Sequence, residues 1–220
     1  MPLPTLASMP SITRSGPSGA DRRAAVEAQI TSAVQRLLTQ GSTYTQLSVQ
    51  RILDEAGIAR STFYAHFRDK SEILPKLGAT FRQQLFEFTA GWTPAGPEGG
   101  LAGLETAFRN VIAYHREHFA ILTTFAEVAA YDASVQDFYN SELRDFEANL
   151  TGKLRDEQVD GRTAADIEPT AASSIIVWGG LRAIEHHIRV DDGGGDEAFA
   201  KELARIWWYG AFRRPSGDPG

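Results

Sequence analysis

The sequence predicts an all-α protein of about nine helices, with a small N-terminal domain followed by a larger helical body. Apolar residues recur at i, i+3, i+4 and i+7 in one segment after another. No segment carries a convincing strand alternation, and no internal repeat is present. Gly-, Pro- and Asp-rich stretches separate the periodic segments.

Residues 1–20 are rich in Pro, Ser, Thr and Gly and are expected to form a disordered arm. Asp21 is the expected N-cap of a first helix, with Ile30, Ala33, Val34, Leu37 and Leu38 on its buried face and Gly41 ending it. A second helix is expected to start at Ser48, turn Val49, Ile52 and Leu53 inward, and stop at Gly57. A short third helix covers about 60–67. Asp69 and Glu72 have the spacing of a capping box for a fourth helix that carries Ile73, Leu74, Leu77, Phe81, Leu85 and Phe88. Pro75 lies inside that helix and predicts a kink or a delayed start.

Residues 91–103 read as a loop. Five further helices are expected at about 104–116, 118–130, 134–156, 170–189 and 196–212. Ile175 and Ile206 are expected on the inward faces of the last two. The run at 191–196, DDGGGD, reads as a flexible break. The expected domains are a helix-turn-helix at 21–70 and a helical body at 71–213, with a flexible tail at 214–220.

The chain has 220 residues, 42% of them hydrophobic, so a sizeable core can be buried. Cysteine is absent, which excludes disulfides, thiolate metal sites and a cysteine nucleophile. The first twenty residues hold no apolar run of signal-peptide length, and no stretch reaches the roughly 18–20 apolar residues of a membrane span. A soluble cytoplasmic protein without a membrane partner is therefore expected. The net charge of −6 is unevenly spread. Residues 1–78 hold nine basic and six acidic side chains, and the remainder thirteen and twenty-two. A basic end on an acidic body suits a small module that meets phosphate.

Residues 45–74, TQLSVQRILDEAGIARSTFYAHFRDKSEIL, carry the densest signal. Ser48 caps the second helix, leaving backbone N–H groups where a phosphate can sit. Gly57 supplies the left-handed turn and Ile58 plugs it. Phe63 and Phe67 anchor the third helix. Arg60, Ser61, Thr62, Tyr64, Ala65 and His66 then face solvent, which for a helix-turn-helix is the major groove. Arg60 can fork onto guanine or a phosphate. Ser61, Thr62 and Tyr64 can donate to phosphates or base edges, and His66 and Lys70 can reach phosphates. Thr45 and Ser48 complete the expected contact set. The expected partner is double-stranded operator DNA.

The stretch AGIARSTFYAHFRDKSEIL resembles the recognition-helix signature of the TetR family. Ala56, Gly57, Thr62, Phe63, Tyr64, His66, Phe67, Lys70 and Leu74 match it. The resemblance implies that Arg60, Ser61, Tyr64 and His66 face DNA and that Lys70 clamps a phosphate. Ala59 replaces the usual Ser or Thr cap of the third helix, a loss of roughly 1 kcal/mol. Ser61, Ala65, Ser71 and Pro75 also depart from the pattern.

The C-terminal body carries aromatic and apolar residues on several helices, which make either a packed core or a ligand site. Its spacing HFAILTTFAEVAAYDASVQDFY and the late IWWYG resemble the ethionamide-resistance-regulator (EthR-like) branch of the same family. That resemblance implies an apolar channel lined by Leu104, Val111, His115, Tyr139, Phe146, Val177 and Trp207. Phe108, Phe125, Trp178 and Leu181 join the expected lining, for a small apolar effector. Val177 and Gly180 stand where that branch has polar amides, so the ligand's polar anchor is lost or moved. Small residues at Ala171, Ala172, Ser173, Ser174, Gly179, Gly180 and Ala183, with Ile176, Ile184 and Ile188, suit either ordinary packing within the chain or a homodimer interface through the last two helices, and the need of a helix-turn-helix for two half-sites favours the dimer.

His115 with His118, and His186 with His187, have no clearly placed carboxylate, so no metal or other cofactor is expected. Residues 142–162 read as a solvated charged face. No nucleophile elbow or phosphate loop points to an enzyme. The expectation is a ligand-responsive transcription regulator, most simply a repressor. Its alternatives are an effector-independent dimeric DNA-binding protein or, further off, a helical enzyme.

Overall fold

The chain enters its first helix at Ser18, earlier than expected. The computed structural model describes residues 18–96 and 99–216, so most of the predicted arm, 1–17, and part of the predicted tail, 217–220, lie outside the described residues. Ser18 Oγ accepts from the Asp21 N–H at 3.1 Å, and Asp21 accepts from the Ser18 N–H at 2.9 Å. Asp21 is thus the third residue of a capping box and not the cap. The reciprocal pair satisfies two orphan donors where a lone aspartate cap satisfies one.

The described helices are α1 (Gly19–Thr39), α2 (Val49–Ala56), α3 (Arg60–His66), α4 (Ile73–Ala90), α5 (Gly100–Glu117), α6 (Phe119–Ala129), α7 (Ala133–Val159), α8 (Pro169–Val190) and α9 (Asp196–Trp207). Single 3-10 turns precede α2 (Tyr44–Gln46) and α4 (Lys70–Glu72), and a π-turn (Trp208–Phe212) ends the body. No strand occurs among the described residues.

Two apolar cores organise these helices. The first gathers Ile30, Val34 and Leu37 of α1, Ile52 and Leu53 of α2, and Phe63 and Phe67. It continues through Ile73, Leu74, Leu77 and Phe81 of α4 into Ile121, Phe125 and Val128 of α6 and Val135 of α7. The second gathers Trp92, residues of α5 (Leu104, Phe108, Ile112), α7 (Leu150, Leu154), α8 (Ile184, Ile188) and α9 (Leu203), and Phe212. The far half of α4, through Leu85 and Phe88, packs against this second core.

The entry to α4 differs from the expected capping box. Asp69 accepts from the Ser71 N–H at 2.8 Å, capping the 3-10 turn. Glu72 reaches back to the Arg68 N–H (2.9 Å) and guanidinium (2.6 Å). The helix proper starts at Ile73, so Pro75 is its third residue. First-turn N–H groups have no intrahelical acceptor, so proline costs no hydrogen bond there. Of the two expectations for Pro75, the delayed start is the one observed.

Other boundaries move for local reasons. α5 begins at Gly100, four residues before the expected 104, because Trp92 Nε1 donates to the Gly100 carbonyl at 2.8 Å and ties the helix start to the loop before it. The 191–196 run is a hydrogen-bonded turn and not a loose break. Asp191 Oδ1 accepts from the Gly193 and Gly195 N–H groups, and Arg116 of α5 grips both Asp196 oxygens and the Asp191 carbonyl. Ile175 and Ile206 point outward, 74% and 66% exposed, because the buried face of α8 runs through Ser173, Gly180, Ile184 and Ile188 and that of α9 through Ala200, Leu203 and Ala204.

The charged face expected at 142–162 is only partly solvated. Glu157 is buried at 2% exposure and bonded to Arg162 at 2.7 and 2.9 Å, with Arg213 on its other side. Burial works to raise its carboxyl pKa, but the hydrogen bonds of Arg162 and Arg213 outweigh it and leave the group below the ordinary glutamate value. A depressed folded-state pKa gives stability that is present above the unfolded value and lost as pH falls through the folded one. Glu157→Gln should lower stability at neutral pH by about 3–5 kcal/mol, the loss for breaking a buried pair. Urea unfolding at neutral pH and again below about pH 4, the ordinary carboxylate range, should show the gap between wild type and variant narrowing in acid. A gap that stays constant would mean the pair contributes nothing to the pH dependence.

Candidate nucleic-acid interface and ligand cavity

α2 and α3 form a helix-turn-helix. Ser48 caps α2 by accepting from the Arg51 N–H at 3.1 Å. Gly57 ends α2 at φ 66°, a left-handed conformation that favours glycine. Ile58 is half-buried against the first core. α3 begins at Ala59 without a side-chain cap. Phe63 and Phe67, stacked with centroids 5.4 Å apart, are fully buried and fix its inner face. The Gln29 amide of α1 donates to the Ala56 carbonyl at 2.7 Å, and Arg36 bonds Glu55 at 2.6 Å, holding α2 against α1.

Arg60, Ser61 and Tyr64 stand on the outer face of α3, with Thr62 half-buried beside them. Arg60 and Tyr64 form a unit one helical turn apart: the guanidinium lies 5.5 Å from the ring centroid. Thr45 and Ser48 are exposed at the start of α2.

Two expected contacts are oriented differently. His66 turns back toward α1, where Nδ1 lies 3.7 Å from a Glu27 carboxylate oxygen, beyond hydrogen-bond length. Glu27 is held by Lys76 of α4 at 2.6 Å and by Arg23, and hydrogen bonding from Lys76 is the main cause lowering its pKa. Lys70 directs its ammonium at the carbonyls of Tyr44 (3.1 Å), Thr45 (3.3 Å) and Leu47 (3.0 Å), while the Tyr44 hydroxyl donates back to the Lys70 carbonyl. Lys70 therefore pins the turn before α2, where the sequence pattern implied a phosphate clamp. Tyr44 is deeply buried beside it, and burial pushes its phenol well above its ordinary pKa.

A cavity of about 150 Å³ lies in the helical body, walled by α4, α5, α7, α8 and α9. Of the expected lining residues, Leu104, Phe108, Val111, His115, Phe146, Val177, Leu181 and Trp207 border it. Phe108 and Trp207 meet edge to face at 4.6 Å. Phe125, Tyr139 and Trp178 do not line it. Phe125 belongs to the first core, Tyr139 packs against that core, and Trp178 donates Nε1 to Glu147 of α7 at 2.7 Å.

The structure adds Leu85, Thr89, Trp92, Leu143, Asn149, Leu150 and Lys153. The α7 residues were hidden by the charges around them, although Leu143, Phe146, Leu150 and Lys153 fall on one helical face. Gly180, where an amide was expected, is the residue that admits Trp207: a Cβ there would lie 2.8 Å from Cζ2 of the indole. His115 is buried and bonds the Val111 carbonyl through Nδ1 at 2.9 Å. Burial lowers its pKa.

Ile184 and Ile188, expected at a dimer interface, are buried in the chain's own second core, and Ile176 packs against it. The outer face of α8 instead presents Ala171, Ile175 and Gly179. His187 comes together with two carboxylates, Asp191 and Asp196, all ligand atoms lying within 4.8 Å of one another. Asp191 follows His187 by one helical turn, and the 191–196 turn brings Asp196 back to the same ring. Arg116 already grips both oxygens of Asp196, so the group is a hydrogen-bonded tie among α5, α8 and α9.

Residues 33–77 match the profile of "Bacterial regulatory proteins, tetR family". Over these residues the chain is similar to tetR-family regulators. Proteins with that profile are DNA-binding regulators of transcription. The match covers the helix-turn-helix and the start of α4, the segment whose geometry is described above. No curated protein matches the chain. Solved structures share the fold over nearly the whole length. Salmonella enterica GusR superposes with a TM-score of 0.69 at 14% identity, covering 84% of this chain and 94% of that one. NalD, described as the secondary repressor of a multidrug efflux pump in Pseudomonas aeruginosa, gives 0.65 at 16%, covering 87% and 100%. SmeT, described as the repressor of a Stenotrophomonas maltophilia multidrug efflux pump, gives 0.63 at 15%, covering 88% and 94%. At these identities the likeness is one of TetR-type fold. No helix among the described residues is long and apolar enough to cross a membrane.

Lys70→Met separates the two roles for that lysine. Loss of three carbonyl contacts should reduce folding stability by about 1–3 kcal/mol in thermal or urea unfolding. A phosphate clamp would instead leave stability unchanged and reduce the salt dependence of DNA binding by about one counterion.

Proposed function

We propose that the protein is a dimeric repressor that binds double-stranded operator DNA through α2 and α3 and is released when a small, largely apolar effector occupies the cavity. The observation that carries this reading is the position of α4. Its first half is built into the core beneath the reading head, and its second half, through Leu85 and Thr89, walls the cavity. A ligand that favours one placement of α4 thereby favours one placement of α3, and only such differential binding can shift the equilibrium. The two recognition helices of a dimer must meet successive major grooves about 34 Å apart, so a small rotation of each head breaks the fit.

In this reading Arg60, Ser61, Thr62 and Tyr64 contact DNA, with Thr45 and Ser48 on the flanking phosphates. The functional units are the head at 21–70 and the body at 71–213. The dimer forms through the outer faces of α8 and α9, where Ile175, Ile206 and Tyr209 stand exposed among small residues. An EthR-like ancestry for the body is supported by the bordering positions of Leu104, Val111, His115, Phe146, Val177 and Trp207. Repression is supported by the descriptions of NalD and SmeT. A cytoplasmic location follows from the target.

The test is fluorescence anisotropy with DNA flanking the protein's own gene, at two salt concentrations. Wild type should bind tightly and weaken steeply with salt, through counterion release. Arg60→Ala with Tyr64→Ala should lose roughly tenfold or more, since one good base contact is worth about 1–3 kcal/mol. Sequence preference that survives the double substitution would sink the assignment of α3 as the reading helix.

A further inference from the structure

The cavity's polar inventory specifies the ligand more closely than "apolar". Among the described residues bordering it, the side chains that offer polar groups are Thr89, His115, Asn149 and Lys153, together with the indoles of Trp92 and Trp207. The Trp92 N–H is committed to the Gly100 carbonyl. No acidic side chain borders the cavity among these residues, and Lys153 is its one ordinarily cationic group. His115 uses Nδ1–H on the Val111 carbonyl, so its Nε2 carries a lone pair. Burial keeps this imidazole toward its neutral form. The wall therefore offers one cation and several neutral polar groups, and no acidic side chain among the described residues.

Lys153 is placed to serve a ligand. It lies one helical turn after Asn149 on α7, so the amide and the ammonium share a face. Its Nζ donates to the carbonyls of Thr89 (3.2 Å) and Trp92 (2.6 Å), at the end of α4, and sits 5.4 Å from the Trp92 ring centroid. These two carbonyls are neutral oxygens. A carboxylate oxygen makes a stronger bond to an ammonium than a carbonyl does, because both partners are then charged. In surroundings this apolar the difference is amplified.

We propose that the cavity's ligand is an amphiphilic monocarboxylate, its tail against Phe108, Val111 and Trp207 and its head on Lys153 and Asn149. The proposal rests on the cavity being the effector site. A cationic amphiphile would meet an ammonium and no counter-charge, and a neutral alcohol would forgo the ionic hydrogen bond. A single cation beside a neutral imidazole suits one carboxylate.

Three probes with one common chain decide it: decanoate, decanol and decylamine, titrated into the full-length protein and followed by the fluorescence of Trp92 and Trp207. Decanoate should bind roughly tenfold or more tighter than either of the others, the ratio expected of one charge-assisted hydrogen bond. In Lys153→Met the three affinities should converge, and Lys153→Arg, which keeps the charge, should retain most of the preference. Equal binding of the three by wild type, a preference for decylamine, or a carboxylate preference that survives in Lys153→Met would overturn the proposal while leaving the cavity as the effector site. If none of the probes binds wild type, the effector-site reading fails with it. The wild-type comparison stands without the variants, so a folding defect in Lys153→Met leaves the outcome decided.

Discussion

The structure depends on the seat that α4 provides at Gly78. A Cβ at that position would lie 2.4 Å from a Phe138 ring carbon and 2.9 Å from one of Phe125. With no side chain in the way, the rings of α6 and α7 close directly onto the α4 backbone. This contact joins the three-helix head to the body as one continuous core. Around it, Lys76 holds Glu27 of α1 from one side, and Leu77 and Phe81 extend the apolar contact on the other. The head is therefore clamped to a helix and does not hang from a linker. Movement of that helix is movement of the head.

The far end of α4 is held by different means. There the attachment is polar: Lys153 of α7 grips the Thr89 and Trp92 carbonyls, and Trp92 in turn ties the start of α5 through the Gly100 carbonyl. An apolar pivot at one end and a polar latch at the other suit a lever. Packed aromatic contacts are close-fitting and permit rocking but little sliding. Hydrogen bonds to one lysine can be exchanged for bonds to another acceptor without disrupting packed apolar contacts. The cavity lies beside the latch and not beside the pivot.

The charged residues of α7 show how a helix can hide its role. Read by composition, Glu142 to Glu157 are a solvated face. In the fold, Lys153 borders a cavity and Glu157 is buried between two arginines that arrive from the chain's later turns. Leu143, Phe146, Leu150 and Leu154 share one apolar phase, which places these charges close to the buried face. Which of them would be buried depended on partners far along the chain, such as Arg213, 56 residues away.

The sequence by itself determined the local elements. Capping residues, the apolar period of 3.6 and the glycine at the left-handed turn of the helix-turn-helix are short-range constraints, and they placed the helices to within a few residues and put Phe63 inward and Tyr64 outward. They also carried the head's resemblance to the tetR family, because its motif is contiguous. The tertiary structure decided where long side chains end. Lys70 was spent on three carbonyls and His66 was turned toward Glu27. Ile175 and Ile206 faced outward while Ile184 and Ile188 turned inward, and the cavity fell beside Asn149 and Lys153 and away from Phe125, Tyr139 and Trp178. The physical reason is reach. A backbone conformation answers to its neighbours within a turn or two, but a lysine, an arginine or a large aromatic ring finds its partner across whole helices, and sequence spacing does not encode that distance.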